Sequence, residues 1–329
     1  MSENLIGNLS NLLSSVSLSD KKDTQATNNM GTAFTKELPF TLKDVKETKQ
    51  TDLMRFAKYI KEGKAKNIIV MVGAGISVSC GIADFRTPGT GLYDNLQKYN
   101  LAHATDVFDI EFFKVNPKPF NMLAKELFPG PFKPSLTHYF IRLLHEKGVL
   151  LRLFSQNIDG LEALAGLPEN KIVQAHGSFN GAKCINCLKE HEIDQVRTSI
   201  MKDQIPVCAK CNGYVKPNIV FFGEDLPERY YRRVAKDFPK CDLLVVLGTS
   251  LLVKPFALLT QKVDANVPRL LINNEIVGDF LNHNLSRMRV KDGMHITTCD
   301  GGVQEFCDLL GWTSELNQLA TLTTTTDTS

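Results

Sequence analysis

A chain of 329 residues with a formal net charge of +2 has room for one large domain or two ordinary ones, and it lacks the field that draws a protein to nucleic acid or an anionic membrane. Hydrophobic residues make up 43% and charged residues 22%, the balance of a globular protein. No apolar run approaches the ~20 residues of a membrane span.

The first residues, MSENLIGNLSNLLSSVSLSDKK, have no basic stretch followed by an apolar block, and no arginine precedes Arg55. Neither a secretory signal nor an Arg-rich transit peptide is expected. Residues 1–48 are rich in Ser, Asn, Thr, Lys and Asp and read as a disordered extension, except that Leu5, Leu9, Leu12 and Val16 recur at helical spacing. That short amphipathic piece reads as packing back on the domain or as a leucine-rich docking or export peptide. At the other end, TLTTTTDTS is low in complexity, and 313–329 is expected to be a disordered tail.

Between these ends strands and helices alternate. TDLMRFAKYIKEG puts Leu53, Phe56, Tyr59 and Ile60 on one helical face, with Gly63 to end it. NIIVMV (67–72) is a continuous apolar run, as expected of a strand buried on both faces. LTHYFIRLLHEKG predicts another amphipathic helix, followed by a strand at VLLRLF (149–154). Further strands are expected at 218–222, 242–247, 269–273 and 294–298, with helices at 226–238 and 302–310. This alternation predicts a doubly wound, mainly parallel α/β sheet. Residues 178–216 break the rhythm, being polar and rich in paired cysteines, and read as a small inserted module.

Directly after the first buried strand comes GAGISVSCGIADFR, a glycine turn leading toward a helix. Gly73 and Gly75 suit a tight turn and the close approach of a pyrophosphate to free backbone N–H groups. The third glycine of the usual G-x-G-x-x-G is Val78 here, so a ligand-free turn stays open on this element alone. Asp84 and Arg86 flank Phe85, and the Gly/Pro-rich TPGTGLY that follows suits a loop closing over a ligand.

Of eight cysteines, four form two C-x-x-C pairs, Cys184 with Cys187 and Cys208 with Cys211. The 20 residues between Cys187 and Cys208 fall within the spacing of a four-thiolate zinc site. Four soft ligands fill a tetrahedral Zn²⁺ and leave no position for water, so the site is structural. Without secretory context, this cysteine usage implies a reducing compartment. Cys80, Cys241, Cys299 and Cys307 are single and read as ordinary buried side chains. His176, in QAHGSF, stands eight residues before Cys184 and reads as an extra ligand, a structural residue or a base.

Read together, GAGIS with ADFR, QNID, HGS, the paired cysteines, VKPNIVFFGE, GTS and INNE resemble the sirtuin family of NAD-dependent protein lysine deacylases. The resemblance covers residues 49–312 and is nearest to the branch of cytosolic tubulin- and histone-directed deacetylases. It implies a Rossmann-like large domain with the zinc module inserted, NAD as co-substrate and one structural zinc. It places Ala74, Gly75, Ile76, Ser77, Val78, Asp84, Phe85 and Arg86 along NAD. It assigns Gln156, Asn157, Ile158 and Asp159 to the nicotinamide end, and Gly248, Thr249, Ser250, Asn273, Asn274, Glu275 and Cys299 to phosphate and adenosine. His176 matches the catalytic histidine, with Asn157 beside it, and Gly177 would free space around the imidazole. Val220, Phe221, Gly223 and Glu224 would form the edge for an extended acyl-lysine peptide, with Phe221, Phe85 and Phe112 as aromatic walls.

The implied products are deacylated lysine, nicotinamide and acyl-ADP-ribose. Family members that prefer acidic acyl groups carry Tyr-x-x-Arg; no Arg stands three residues after Tyr93, which favours acetyl and longer neutral chains. Ala83 replaces a usual proline, and Gly160 a usual bulkier residue, which loosens two turns. The resemblance points to the cytoplasm, with the nucleus as a second site, and to acylated proteins such as histones or tubulin as partners. Rival readings are a mono-ADP-ribosyltransferase on the same scaffold, a non-catalytic NAD-binding zinc module, and a dehydrogenase, against which the missing third glycine speaks.

Overall fold

The computed structural model describes residues 51–84, 101, 103–281 and 291–325, all within the compact unit Lys49–Ser329. Phe85, Arg86, the TPGTGLY loop, Tyr93 and the helical spacing at 5–16 lie outside the described residues.

In chain order the helices and strands are α1 (Asp52–Lys61), β1 (Ile68–Val72), α2 (Ile110–Val115), α3 (Lys118–Leu127), α4 (Leu136–Glu146), β2 (Leu150–Ser155), α5 (Leu161–Leu164), β3 (Ile172–Gln174) and β4 (Gly177–Cys184). There follow β5 (Glu190–His191), α6 (Ile193–Met201), β6 (Val215–Ile219), α7 (Glu228–Asp237), β7 (Leu243–Leu247), β8 (Arg269–Asn273), β9 (Gly293–Ile296), α8 (Cys299–Leu310) and α9 (Thr313–Thr325).

Six strands form a parallel sheet in the order β3-β2-β1-β7-β8-β9. Numbered within that sheet the order is 3-2-1-4-5-6, the topology of open dinucleotide-binding sheets. The continuous apolar runs are explained by cover on both faces. Ile68, Val70 and Val72 pack with Phe140, Val303 and Phe306 on one side. Ile69 and Met71 pack with Phe238, Phe256 and Phe280 on the other. Arg152 interrupts the β2 run because its guanidinium meets Asp237 of α7 at 2.6 Å, where both side chains are buried.

Several expectations change. The run at 218–222 does not join the parallel sheet. β6 pairs antiparallel with β4 in a separate three-stranded sheet, β5-β4-β6, and the chain leaves the strand after Ile219. Pro217 is tolerated because β6 is an edge strand. The small module is also larger than 178–216, since Phe113, Phe120 and Phe128 from α2, α3 and the loop after them share its core with Val196, Val215 and Phe221. The six-residue α2 and the three-residue β3 carry patterns too short to stand out in the sequence.

The expected disordered tail over 313–329 is corrected as well. Thr313–Thr325 is helical, with Leu316 and Leu319 buried in the sheet's core and Lys147 Nζ 2.5 Å from Glu315. Leucines at 316 and 319, one helical turn apart, supply an apolar stripe that the threonine content hides.

Candidate active site

Most loops of the site leave the carboxyl ends of strands of the parallel sheet, and one, Val220–Leu226, leaves β6 of the small sheet. The glycine turn follows β1, Gln156–Asp159 follow β2, His176 follows β3, Thr249 and Ser250 follow β7, and Asn274 and Glu275 follow β8. β1 and β7 are the strands between which the winding reverses, where such sheets open a crevice for a ligand. A cleft of about 750 Å³ lies there, lined by Gly73–Gly75, Gln156–Ile158, His176, Val220–Leu226, Gly248–Ser250 and Asn273–Glu275.

The glycine turn is dictated by a neighbouring turn. A Cβ on Gly73 would sit 2.8 Å from the Thr249 Cβ, and one on Gly75 2.8 Å from the Gly248 Cα. The two loops interlock, with Gly75 N donating to Gly248 O at 2.9 Å. The turn continues into two single 3-10 turns, Ala74–Ile76 and Val78–Cys80, where a helix was expected.

Asn157 is buried and held from two directions. Its backbone N donates to Ser155 Oγ at 3.0 Å and its Nδ2 to Ser77 Oγ at 3.4 Å. Ser77 in turn donates to Asp159 Oδ2 at 2.7 Å, while Asp159 Oδ1 accepts from Leu161 N at 2.9 Å. Asp159 therefore holds the turn that leads into α5 and fixes the asparagine's partner at once. Gln156 Oε1 accepts from Thr249 Oγ1 at 2.7 Å, which ties the β2 loop to the β7 loop.

His176 faces the same cleft, with Phe256 6.1 Å away between ring centroids. Its Nδ1 lies 3.1 Å from the Gln156 carbonyl oxygen. A carbonyl only accepts, so Nδ1 carries the hydrogen and Nε2 keeps its lone pair. Burial lowers the pKa below the ordinary 6.5 and the carbonyl contact opposes it in part, leaving the ring neutral at pH 7. Gly177 has a reason other than space around the imidazole: its φ is +73°, and a Cβ would meet Asn218 O at 1.9 Å, where β4 and β6 pair.

Not every expected residue reaches the cleft. Ser77 is fully buried and acts through Asn157 and Asp159; Ile76 and Cys299 lie in the core, and Val78 is 50% exposed outside it. Phe221 borders the cleft, but its ring is 1% exposed and packs edge-on against Phe108, Phe113 and Phe120. Phe112 does not line the cleft, whereas Phe222 of VKPNIVFFGE does, as do Phe108, Tyr231, Lys254 and Pro255, none of which stood in a motif.

A polar cluster behind the glycine turn was also missed. Asp300 Oδ1 accepts from Thr137 N and Oγ1 at 2.9 and 2.6 Å, and its Oδ2 accepts from Ser79 at 2.7 Å. Ser135 donates to Ile76 O at 2.8 Å beside His138, whose pKa burial pushes down to about 4. Glu162 binds Ser155, and burial pushes its carboxyl up to about 7. Such cores signal themselves only once α4, α5 and α8 are placed.

The metal question separates cleanly. The sulfurs of Cys184, Cys187, Cys208 and Cys211 lie within 4.8 Å of one another, and none forms a disulfide. Cys184 and Cys211 are 3.4 Å apart and Cys187 and Cys208 3.7 Å, against about 3.8 Å for sulfurs placed tetrahedrally around zinc. The four thiols fit a structural Zn²⁺ without His176, which lies outside this cluster.

An open parallel sheet with a glycine turn at its switch point, joined to a four-cysteine module, defines a nucleotide-binding α/β protein with a structural metal site. The model of the Sir2 family matches residues 73–255, and the chain belongs to that family. It is 50% identical over 279 residues to NAD-dependent protein deacetylase hst2 of Schizosaccharomyces pombe, covering 85% of this chain and 82% of that one. NAD-dependent protein deacetylase sirtuin-2 of Danio rerio is 49% identical over 280 residues, 80% of this chain and 73% of its own. NAD-dependent protein deacetylase sirtuin-3 of Mus musculus is 49% identical over 271 residues, with 82% and 80% covered.

Proposed function

We propose that this chain removes acetyl and longer neutral acyl groups from protein lysines, consuming NAD and releasing nicotinamide and acyl-ADP-ribose. The observation that carries this reading is His176, neutral and with Nε2 unprotonated, in one cleft with Asn157, the glycine turn and the segment Val220–Glu224. When bound, NAD supplies a ribose carbon that gives up nicotinamide and takes the acyl oxygen.

The chain's own residues do the rest. The Gly73–Gly75 turn offers backbone close to a pyrophosphate, and Thr249, Ser250, Asn273 and Glu275 border the same cleft toward the adenosine end. Asn157, pinned by Ser155 and Ser77, presents its amide at a fixed place for the nicotinamide end. His176 accepts a proton from a ribose hydroxyl at Nε2, a step suited to an imidazole that burial keeps neutral. The cysteine module holds β4 and β6 together, and His176 just before β4 and the peptide-facing segment just after β6 meet at the other end of that pair. Histones and tubulin are the candidate substrates, in the cytoplasm and nucleus.

The test is a panel of acyl-lysine peptides with and without NAD, read by mass spectrometry. Loss of the acyl mass together with nicotinamide release is expected. A gain in mass on an acceptor protein with the acyl group intact would replace this reading with ADP-ribosyl transfer.

A further inference from the structure

Lys216 is completely buried, an unusual place for an ammonium group. Its Nζ donates to the Ile219 carbonyl at 2.5 Å, faces Glu224 Oε2 at 2.8 Å, and stands 4.3 Å over the Phe221 ring. The same Glu224 oxygen accepts from Phe221 N at 2.8 Å. One cation and one carboxylate thereby close the segment 219–224 on itself. The Glu224 carboxylate is committed inward and is not a free partner for a peptide.

Three further ties make the shape of this segment matter to the cleft it lines. Val220 N donates to the carbonyl of His176 itself at 2.9 Å. Phe222 N donates to Phe108 O at 2.7 Å, and Ile110 N donates to Phe222 O at 3.0 Å. Gly223 turns at φ +89°, where a Cβ would press on Ile110 at 2.9 Å. A buried ammonium is tolerated only when paired, and the partly exposed Glu224 carboxylate, left alone, would turn toward water. Burial lowers the Lys216 pKa, and the Glu224 carboxylate beside it opposes that shift in part.

We propose that Lys216 and Glu224 form an internal clamp that sets the segment 219–224 in the shape that receives the acyl-lysine peptide. Lys216 is thus a positioning residue for the substrate and touches neither NAD nor peptide. The proposal rests on the deacylase reading above.

The experiment measures kcat and the KM values for peptide and NAD separately in wild type, Lys216→Met, Glu224→Gln and the double variant, with zinc content and circular dichroism checked. Lys216→Met is expected to raise the peptide KM tenfold or more with the NAD KM within twofold. Glu224→Gln keeps an acceptor for Phe221 N and should raise the peptide KM about threefold. The double variant should cost less than the product of the singles, because no charge is left unpaired. A peptide KM unchanged in both folded single variants overturns the clamp. So does an equal rise in both KM values, which is what a merely structural role gives. If Lys216→Met does not fold, Glu224→Gln, at a side chain still 20% exposed, decides alone. If wild type releases no nicotinamide with acyl-lysine peptide, the deacylase reading itself falls and the clamp's role falls with it.

Discussion

The parallel sheet and the cysteine-bearing module both hold loops at the cleft, but with different resources. The sheet has six strands covered on both faces, and its loops need only turns and a few hydrogen bonds to stay in place. The module has three strands and a core built around packed aromatic rings, Phe108, Phe113, Phe120 and Phe221. Beside that core, four cysteine sulfurs placed for one metal ion offer a cross-link that the parallel sheet has no need of. The difference teaches that the parallel sheet's side of the cleft rests on hydrophobic burial and the module's side adds specific cross-links.

The largest expected effect breaks the module alone. Cys208→Ser, or removal of zinc by a chelator, should take bound zinc from one per chain to none and abolish turnover, while far-UV circular dichroism keeps most of the sheet's signal. Retained turnover without zinc would mean the module stands on its aromatic core. Next, His176→Ala should lower kcat by about 10²–10⁴-fold with the thermal midpoint unchanged, since the ring's loss removes a base and little packing. Full turnover by the folded variant removes His176 from that role.

Smaller effects compare the two cores. Phe113→Ala in the module should cost about 3–5 kcal/mol in urea unfolding, and Leu316→Ala on α9 about 2–5 kcal/mol. The second value tests the C-terminal helix directly, because a frayed tail would show no change. Gly177→Ala should cost about 1–2 kcal/mol for its left-handed backbone alone, with the Asn218 carbonyl clash on top.

The smallest effect is in pH. The proposed base role needs His176 neutral, and its pKa lies below 6.5, so activity should fall on the acid side, with a midpoint under 6.5 in kcat/KM. His138 moves stability in the same direction. Its folded pKa, about 4, lies below the unfolded value, so the unfolded chain binds the extra proton and stability drops as pH falls from 6.5 toward 4. An acid limb centred above 7 would mean another group limits the rate.

What the sequence determined by itself is whatever repeats or pairs over a short stretch. The run Ile68–Val72 fixed a doubly covered strand, C-x-x-C twice fixed a closed metal site, and glycines at 73 and 75 marked a close approach. The order of the motifs along the chain was enough to place His176 apart from the metal. Contacts between residues far apart in the chain had to wait for the fold. Ser77 meets Asp159 across 82 positions and Thr137 meets Asp300 across 163, and no local pattern encodes either. The inward turn of Glu224, the constraint on Gly177 and the recruitment of α2 and α3 into the small core likewise follow from which surfaces topology brings together. Periodicity and ligand spacing are written by neighbours in sequence; the partners of a buried polar group are set by neighbours in space.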